Sequence, residues 1–547
     1  MNHALPGIVV TGASGFVGRH FLEAVAGRFR LFCIARRSQF EAGIPRNPNQ
    51  RWTQVDIAHR DALLEVSRCI ESNGGAEYVL HLAGYYDFTY NDNPEYTRTN
   101  VEGTRNVLEL ADTLGIRHFM YASSLAACRF PEDGDAITED TPPDADFPYA
   151  RSKREAEALI RAHDAPYARS IIRFAALYSD WCEYPPVYAF LKTWFSGAWN
   201  AHMLGGRGKS AVPYLHIRDL IALLLKIIDR TDALPACAVY NASPPDTTSH
   251  QQLYDAANMC YAGHTPRAWH IPRLLALPGV LLRKFVLGLF GREPFEQPWM
   301  IRYIDRVLRV DPSRTEDLLD WKSTPRYDLE RRLLILVENM KSHPEIWRQR
   351  NEAALLHPAS RPNLVLYNRL LRLRDELVER IYQDIRLAQI AEEQNDYRAM
   401  NRETLTSYVS LFYEVLITTI RTRDRATLRT YARILAYHRY HQRFHRSQVC
   451  EALATFSRQI RAALEQETDL ALTTAQLHDN IDLSVQLACD EVEEVYEQLR
   501  ERGADTASVT RSAELLSNSA EMQRLVDELH DICRDGWDHL DFMSAKL

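Results

Sequence analysis

The chain has 547 residues, of which 46% are hydrophobic and 25% charged, with a formal net charge of -8. That length exceeds one domain, the balance is that of a globular protein, and the mild charge gives no reason to expect a nucleic-acid partner. The nine cysteines show no Cys-x-x-Cys pair and no metal-ligand spacing, so the reading is a reducing compartment, no disulfide framework and no metal. Residues 1–7 are too few and too polar for a signal peptide, and no run of 18 apolar residues exists. A cytoplasmic location is expected.

The first predicted strand, over 7–11, runs into Thr11-Gly12-Ala13-Ser14-Gly15-Phe16-Val17-Gly18 and then a helix over 19–26. Gly12 permits a tight turn, Gly15 lets the backbone approach a pyrophosphate, and Gly18 lets helix pack on strand. A pyrophosphate would rest on the helix N-terminus, where free N–H groups and the dipole favour an anion. Gly12, Ser14, Gly15, Phe16, Val17 and Gly18 are therefore cofactor-binding candidates. The next strand, 31–35, ends in Arg36-Arg37-Ser38. An NAD enzyme usually places an acid there for the ribose 2′-hydroxyl, whereas arginines suit a 2′-phosphate. NADP is the expected cofactor and NAD the alternative. Strand-like runs at 78–83, 118–123 and 169–174 alternate with helical patterns, which predicts an α/β Rossmann fold with a doubly wound parallel sheet.

Thr-Gly-x-x-Gly-x-x-Gly at the N-terminus resembles the pattern of the extended short-chain dehydrogenases/reductases, the NAD-dependent epimerase/dehydratase-like proteins, and further motifs match in order over about residues 6–345. The resemblance implies that Asp56, with Ile57, lies at the adenine. It implies that His81-Leu82-Ala83-Gly84 lines the cofactor, with Leu82, Ala83 and Gly84 in contact, and that Asn100 is the family's helix asparagine. Tyr121-Ala122-Ser123-Ser124 matches the serine strand, and Ser124 fits the catalytic position better than Ser123. Arg173-Phe174 and Asp320-Trp321 depart from the pattern, with Phe174 in place of proline and Asp320 in place of glycine. Tyr149-Ala150-Arg151-Ser152-Lys153 is the Tyr-x-x-x-Lys pair, whose members share one helix face. A free tyrosine titrates near ~10, so a nearby ammonium and an oxidised nicotinamide are needed to favour the phenolate. Tyr149 is then the acid/base for a hydroxyl or carbonyl, Lys153 also holds the nicotinamide ribose, and Ser124 hydrogen-bonds the reacting oxygen.

Nucleotide-sugar enzymes on this scaffold carry an arginine before an aromatic-Ile-His-Val segment to clamp phosphates. Here that segment is Tyr214-Leu215-His216-Ile217 and the place of the arginine is taken by Val212; Arg207 or Lys209 could substitute from the loop. The segment 269–295 is dominated by Leu, Val, Phe and Pro and resembles the substrate segment of the 3β-hydroxysteroid dehydrogenase and dihydroflavonol-reductase branch. It is expected to line an apolar pocket or form a buried helix pair, with peripheral membrane contact through 271–290 as the alternative.

The last proline is Pro362, and only Gly503 and Gly536 follow it, which predicts helices. Domains are expected at 1–350, with the Rossmann part and a small substrate subdomain, and at 365–547, a helical bundle, joined by a linker over 351–364. Residues 351–547 hold 24 Lys+Arg and 32 Asp+Glu, with Lys546 the one lysine. Leu405, Val409, Phe412 and Leu416 repeat at helical spacing, as do Val449, Leu453, Phe456 and Ile460. Arg421, Arg423, Arg425, Arg429, Arg433, Arg439, Arg443 and Arg446 crowd a short stretch, read as basic helices packing beside acidic ones. His438, His441 and His445 are read as a polar helix face. The run 431–453 weakly resembles the sensor-type domains of stressosome co-antagonist proteins, which implies a docking or dimerisation module, a homodimer and a protein partner. The functional expectation is hydride transfer between nicotinamide and an alcohol or ketone of an apolar small molecule. The alternatives are a nucleotide-sugar epimerase or dehydratase, and an NADP(H)-sensing regulator acting through the bundle.

Overall fold

The computed structural model describes residues 5–87, 91–132, 134–288, 297–355, 361–388, 396–465 and 474–502. They form two compact units. One comprises Met1–Ile34 with Val55–Ala359, and the other Ala35–Gln54 with Ser360–Leu547.

The strands among the described residues are β1 (Gly7–Thr11), β2 (Arg30–Ala35), β3 (Gln50–Gln54), β4 (Tyr78–His81), β5 (His118–Ser124), β6 (Ala168–Phe174), β7 (Ala176–Tyr178), β8 (Met203–Gly205), β9 (Ala211–Val212), β10 (Tyr214–His216), β11 (Cys237–Ala242), β12 (Thr248–Ser249) and β13 (Trp269–Ile271). Seven of them form a parallel sheet in the order β11-β6-β5-β4-β1-β2-β3, as the alternation of elements predicts. The order reverses beside β1, and in such sheets ligands bind at that reversal, outside the strands' carboxyl ends. Val9, Val79, Phe119 and Ile171 lie in one buried cluster on four adjacent central strands. Near-continuous apolar strands such as Gly7–Thr11, buried throughout, are what a sheet covered on both faces requires.

The helices of the first unit are α1 (Phe16–Ala24), α2 (Arg60–Ser72), α3 (Gly103–Leu114), α4 (Pro148–Ala162), α5 (Pro185–Trp194), α6 (Ile217–Asp229), α7 (His250–Ala262), α8 (Arg273–Gly288), α9 (Ser313–Leu319), α10 (Leu329–Ser342) and α11 (Pro344–Leu355). A π-helical turn, Tyr96–Glu102, leads into α3. Residues 176–271 add the two-stranded pairs β10-β7, β12-β9 and β13-β8 and the helices α5 to α7.

The second unit holds α12 (Pro362–Arg372), α13 (Arg374–Leu387), α14 (Arg402–Thr422), α15 (Ala426–His441), α16 (Arg446–Glu465), α17 (Thr474–Leu477) and α18 (Leu483–Arg502). Both predicted apolar repeats, on α14 and α16, are buried in one core. Arg429 and Arg433 of α15 pair with Glu491 of α18, the latter at 3.0 Å, and Arg425 reaches Asp479 at 3.3 Å. Basic and acidic elements thus meet within the bundle. The three histidines do not share a helix face, because α15 ends at His441, Arg443 turns left-handed (φ 65°), and His445 precedes α16.

Segment 35–54 is tied to the C-terminal end of α14. Ser38 Oγ donates to the Thr422 carbonyl at 2.6 Å, and Gln54 Nε2 donates to the Arg421 carbonyl at 2.8 Å. Of the expected linker, residues 351–355 finish α11 and 362–364 begin α12; residues 356–360 lie outside the described residues.

Candidate active site

The turn after β1 is built on two glycines. Gly12 is left-handed (φ +69°), and a Cβ there would stand 2.7 Å from the Ala83 nitrogen at the end of β4. A Cβ on Gly18 would stand 2.5 Å from the Gly12 carbonyl oxygen. Both positions therefore reject any side chain. Gly15 is the N-cap of α1 and no side chain caps this helix, so its first-turn N–H groups at Phe16, Val17 and Gly18 have no intrahelical acceptor. A cradle of this kind fits a pyrophosphate. Ser14 is buried beside it.

The ends of β1 and β4 are laced together. His81 is hydrogen-bonded to Thr11 Oγ1 at 2.6 Å and to Thr104 Oγ1 at 3.0 Å. Burial, and secondarily the Lys153 charge, push its pKa down to about 3, so the ring is neutral. Leu82 and Ala83 donate their N–H groups to the Thr11 carbonyl and hydroxyl, each at 3.2 Å. Asn100, within the π-turn, accepts the Tyr85 N–H at 2.6 Å and donates to the Tyr85 carbonyl and to Ser152 Oγ, each at 2.9 Å. It pins α4 between Tyr149 and Lys153 to the strand end carrying Gly84. A Cβ on Gly84 would come within 3.3 Å of Asn100 Oδ1 and 3.6 Å of Lys153 Nζ.

Pro148 starts α4, where its missing N–H costs nothing. Tyr149 and Lys153 follow on one face, yet the ammonium does not bond the phenol. Lys153 Nζ donates to the Ala122 carbonyl at 2.7 Å and stands 5.8 Å from the Tyr149 ring centre and 4.7 Å from that of Tyr121. Burial brings the Lys153 pKa down to about 8, opposed by Glu157 one turn on. Burial also raises the Tyr149 phenol to about 12, opposed by its hydrogen bond with Ser124. The ring of Tyr86 packs against that of Tyr149 at 4.5 Å. Without a positive charge on the cofactor, this phenol stays protonated at neutral pH.

Ser123 and Ser124 separate cleanly. Ser123 Oγ donates to Glu157 at 2.6 Å, and Glu157 is held by the fully buried Arg173 at 2.9 Å. Burial works against the Glu157 carboxylate, but hydrogen bonds from Arg173, Ser123 and Arg161 offset it and hold its pKa below the ordinary value. Ser124 instead borders the cavity together with Tyr149 and Tyr86. Glu157 and Tyr86 escaped the sequence reading, which took Tyr121 only as the start of the serine strand. The recurrence of Glu157 four residues after Lys153, on the same helix face, was the available signal for the first.

Other candidates are placed differently. Asp56 is engaged by Arg98 at 2.9 Å and by the Ala58 N–H at 3.0 Å. Ile57 is buried against Gly103. Arg36 and Arg37 fall in the other compact unit.

The cavity over Ser124 and Tyr149 measures about 1800 Å³. Its walls include Phe174, Phe190, Trp194, Val212, Tyr214, Leu275, Val280, Trp299 and Ile301. Arg129, Arg151, Arg283, Arg302 and Arg306 also border it, whereas Arg207 and Lys209 do not. The backbone N–H groups of Arg207 and Lys209 are instead held by Asp305. The α8 wall is not the buried helix pair expected as one reading. Leu274 is 89%, Leu282 64% and Phe285 66% exposed.

Residues 8–243 match the model of the NAD dependent epimerase/dehydratase family. Among its relatives is the 3beta-hydroxysteroid-dehydrogenase/decarboxylase isoform 1 of Arabidopsis thaliana, 28% identical over 163 residues, covering 28% of this chain and 36% of the relative. A putative dihydroflavonol 4-reductase of Synechocystis sp. is 31% identical over 134 residues, covering 24% and 36% respectively. The chain thus spans about a third of the length of these two relatives. Among solved structures, the dTDP-glucose 4,6-dehydratase of Bacillus anthracis str. Ames in complex with NAD aligns with a TM-score of 0.48 at 17% identity, over 63% of this chain and 99% of that one. No helix among the described residues is long and apolar enough to cross a membrane.

Proposed function

We propose that the chain is an NAD(P)-dependent oxidoreductase that moves hydride between nicotinamide and an alcohol or ketone of an apolar small molecule. The observation that carries this reading is the placement of Ser124 and Tyr149 at one large, mainly apolar-walled cavity, with Lys153 on the same helix. A bound nicotinamide supplies the hydride donor or acceptor. Gly12, Gly15 and the N-terminus of α1 hold its pyrophosphate. Tyr149 takes or gives the proton of the reacting oxygen, Ser124 donates a hydrogen bond to that oxygen, and the Lys153 ammonium favours the phenolate. The cofactor is NADP, recognised through Arg36 and Arg37. Exposed leucines on α8, beside Arg283 and Lys284, suit contact with a membrane surface from which an apolar substrate would enter.

A nucleotide-sugar epimerase is the second reading, favoured by the five arginines at the cavity. Val212 lines the cavity where the phosphate-clamping arginine of such enzymes would stand, which counts against it. The test is a turnover assay with NADP(H) on apolar ketones and alcohols beside UDP- and dTDP-sugars. Tyr149→Phe is expected to abolish turnover of the apolar set while dinucleotide binding survives. Turnover of the sugar nucleotides alone would promote the second reading, and near-wild-type rates in Tyr149→Phe would remove the tyrosine from its role.

A further inference from the structure

Cys450 and Cys489 face each other between α16 and α18. Cys450 lies one turn into α16, and Cys489 lies in the second turn of α18. Cys450 Sγ reaches the Cys489 carbonyl at 4.0 Å, and Cys489 Sγ reaches the Cys450 carbonyl at 3.7 Å. Each thiol thus touches the other residue's own main chain, the closeness that a disulfide requires. Contacts on either side hold this register. Tyr496 Oη donates to the Phe444 carbonyl at 3.0 Å, and Ser457 Oγ donates to Asp482 at 2.5 Å. Residue numbers rising along α16 meet numbers falling along α18, so the two helices run antiparallel with the cysteines directly opposed. Both helices contribute to one core, and both thiols rest half-buried against it.

The two thiols are not equivalent. A hydrogen bond from Cys489 holds the Cys450 thiol below its ordinary pKa, against burial and Glu493, and Arg446 one turn earlier adds to the effect. The same contact, together with burial, raises the Cys489 thiol. The thiolate is the attacking form, so Cys450 is the attacking sulfur and Cys489 the resolving one. Cys33, Cys128 and Cys182 behave differently: they are buried, and burial raises each of their thiols. Half-burial gives a small reagent access to the opposed pair, which cysteines serving only as apolar filler do not need.

We propose that Cys450 and Cys489 are a redox modification site, a dithiol that closes to an inter-helix disulfide by reaction with a low-molecular-weight disulfide of the glutathione type. The Cys450 thiolate attacks one sulfur of the reagent, forming a mixed disulfide and expelling one glutathione thiolate, which takes up a proton. Cys489 loses its proton to water and attacks Cys450 Sγ. The protein disulfide forms, and the second glutathione thiolate leaves and is protonated. Two protein thiols are oxidised, and one glutathione disulfide is reduced to two thiols. The new bond ties α16 to α18, and excess thiol reverses it. The partners stand 39 positions apart on separate helices, so cysteine spacing does not announce them, and a reversible pair of this kind suits a reducing compartment where a disulfide framework does not.

The test is peptide mapping of the full chain before and after treatment with oxidised glutathione, with the remaining thiols alkylated. Trypsin places Cys450 in peptide 447–458 and Cys489 in peptide 462–500. The two peptides are expected to appear as one crosslinked species after oxidation and to separate on reduction. Cys489→Ser should stop at a glutathione adduct on Cys450, and Cys450→Ser should form no crosslink. Oxidised wild type should melt about 5 °C or more above the reduced protein, a rise absent from both serine variants, whose reduced forms are melted alongside to check folding. Treatment that leaves both cysteines open to alkylation, or that ends in separate adducts on each, would overturn the site. A crosslink from either cysteine to another, such as Cys533, in place of this one would overturn the pairing. A crosslink that lowers Tm would show that the thiols meet only in a distorted bundle, and would overturn it as well.

Discussion

Ser123 Oγ donates to Glu157 inside a buried network with Arg173, while Ser124 borders the cavity beside Tyr149. The two neighbours should therefore respond differently to truncation. Ser124→Ala is expected to cut kcat by roughly 100- to 1000-fold, as removal of a donor to a reacting oxygen does, whereas Ser123→Ala keeps activity and lowers Tm slightly. Glu157→Gln leaves the fully buried Arg173 without its counter-charge, and should cost about 3–5 kcal/mol of stability, read in denaturant melts. Lys153 adds a pH signature. Its pKa in the fold, about 8, lies below its ordinary value of 10.5, so protonation works against the folded state. That penalty is full below pH 8 and fades as pH rises toward 10.5, and Tm should rise relative to Lys153→Met across that window. Activity moves the opposite way. The charge favouring the Tyr149 phenolate is lost as pH passes 8, so kcat/KM for alcohol oxidation should fall there.

Elements carry two further lessons. The sheet and α1 were legible because a strand, three glycines at fixed spacing and a helix leave few alternatives, and Gly12 and Gly18 meet backbone atoms that admit no Cβ. The π-turn at Tyr96–Glu102 was not legible, since it inserts one residue into a helical pattern without changing its composition; its outcome is the placement of Asn100 between Tyr85 and Ser152. For α8, apolar composition foretold neither burial nor exposure, because a cavity wall and a membrane face ask for the same residues. The exposed positions allow a direct check. Wild type should cosediment with anionic vesicles, and Leu274→Glu with Phe285→Glu should abolish this without shifting Tm, as both side chains are mostly exposed. Wild-type protein that stays in the supernatant would sink the membrane proposal and leave α8 as a cavity wall.

Across the whole chain, proline and glycine usage marks where the helical part begins, but nothing local in 35–54 shows that it groups with helices encoded more than 300 residues later. Those ties are side-chain-to-backbone hydrogen bonds from Ser38 and Gln54, a pattern with no periodicity to read. The grouping changes what truncation should do. A chain ending at residue 359 keeps the glycine turn, Ser124, Tyr149 and Lys153, and is expected to go on binding a nicotinamide dinucleotide. Calorimetry on the fragment checks this, and a fragment that binds neither NADH nor NADPH would show that the helical part is needed for the pyrophosphate site.

The same tie governs the order in which the protein is completed on the ribosome. Ser38 and its acceptor Thr422 are 384 residues apart. At about 5–20 residues per second, roughly 20–80 s of translation separate the emergence of segment 35–54 from that of its anchor. During that interval β3, the outermost strand of the sheet, is a nascent edge with unpaired backbone groups, the kind of surface chaperones shield.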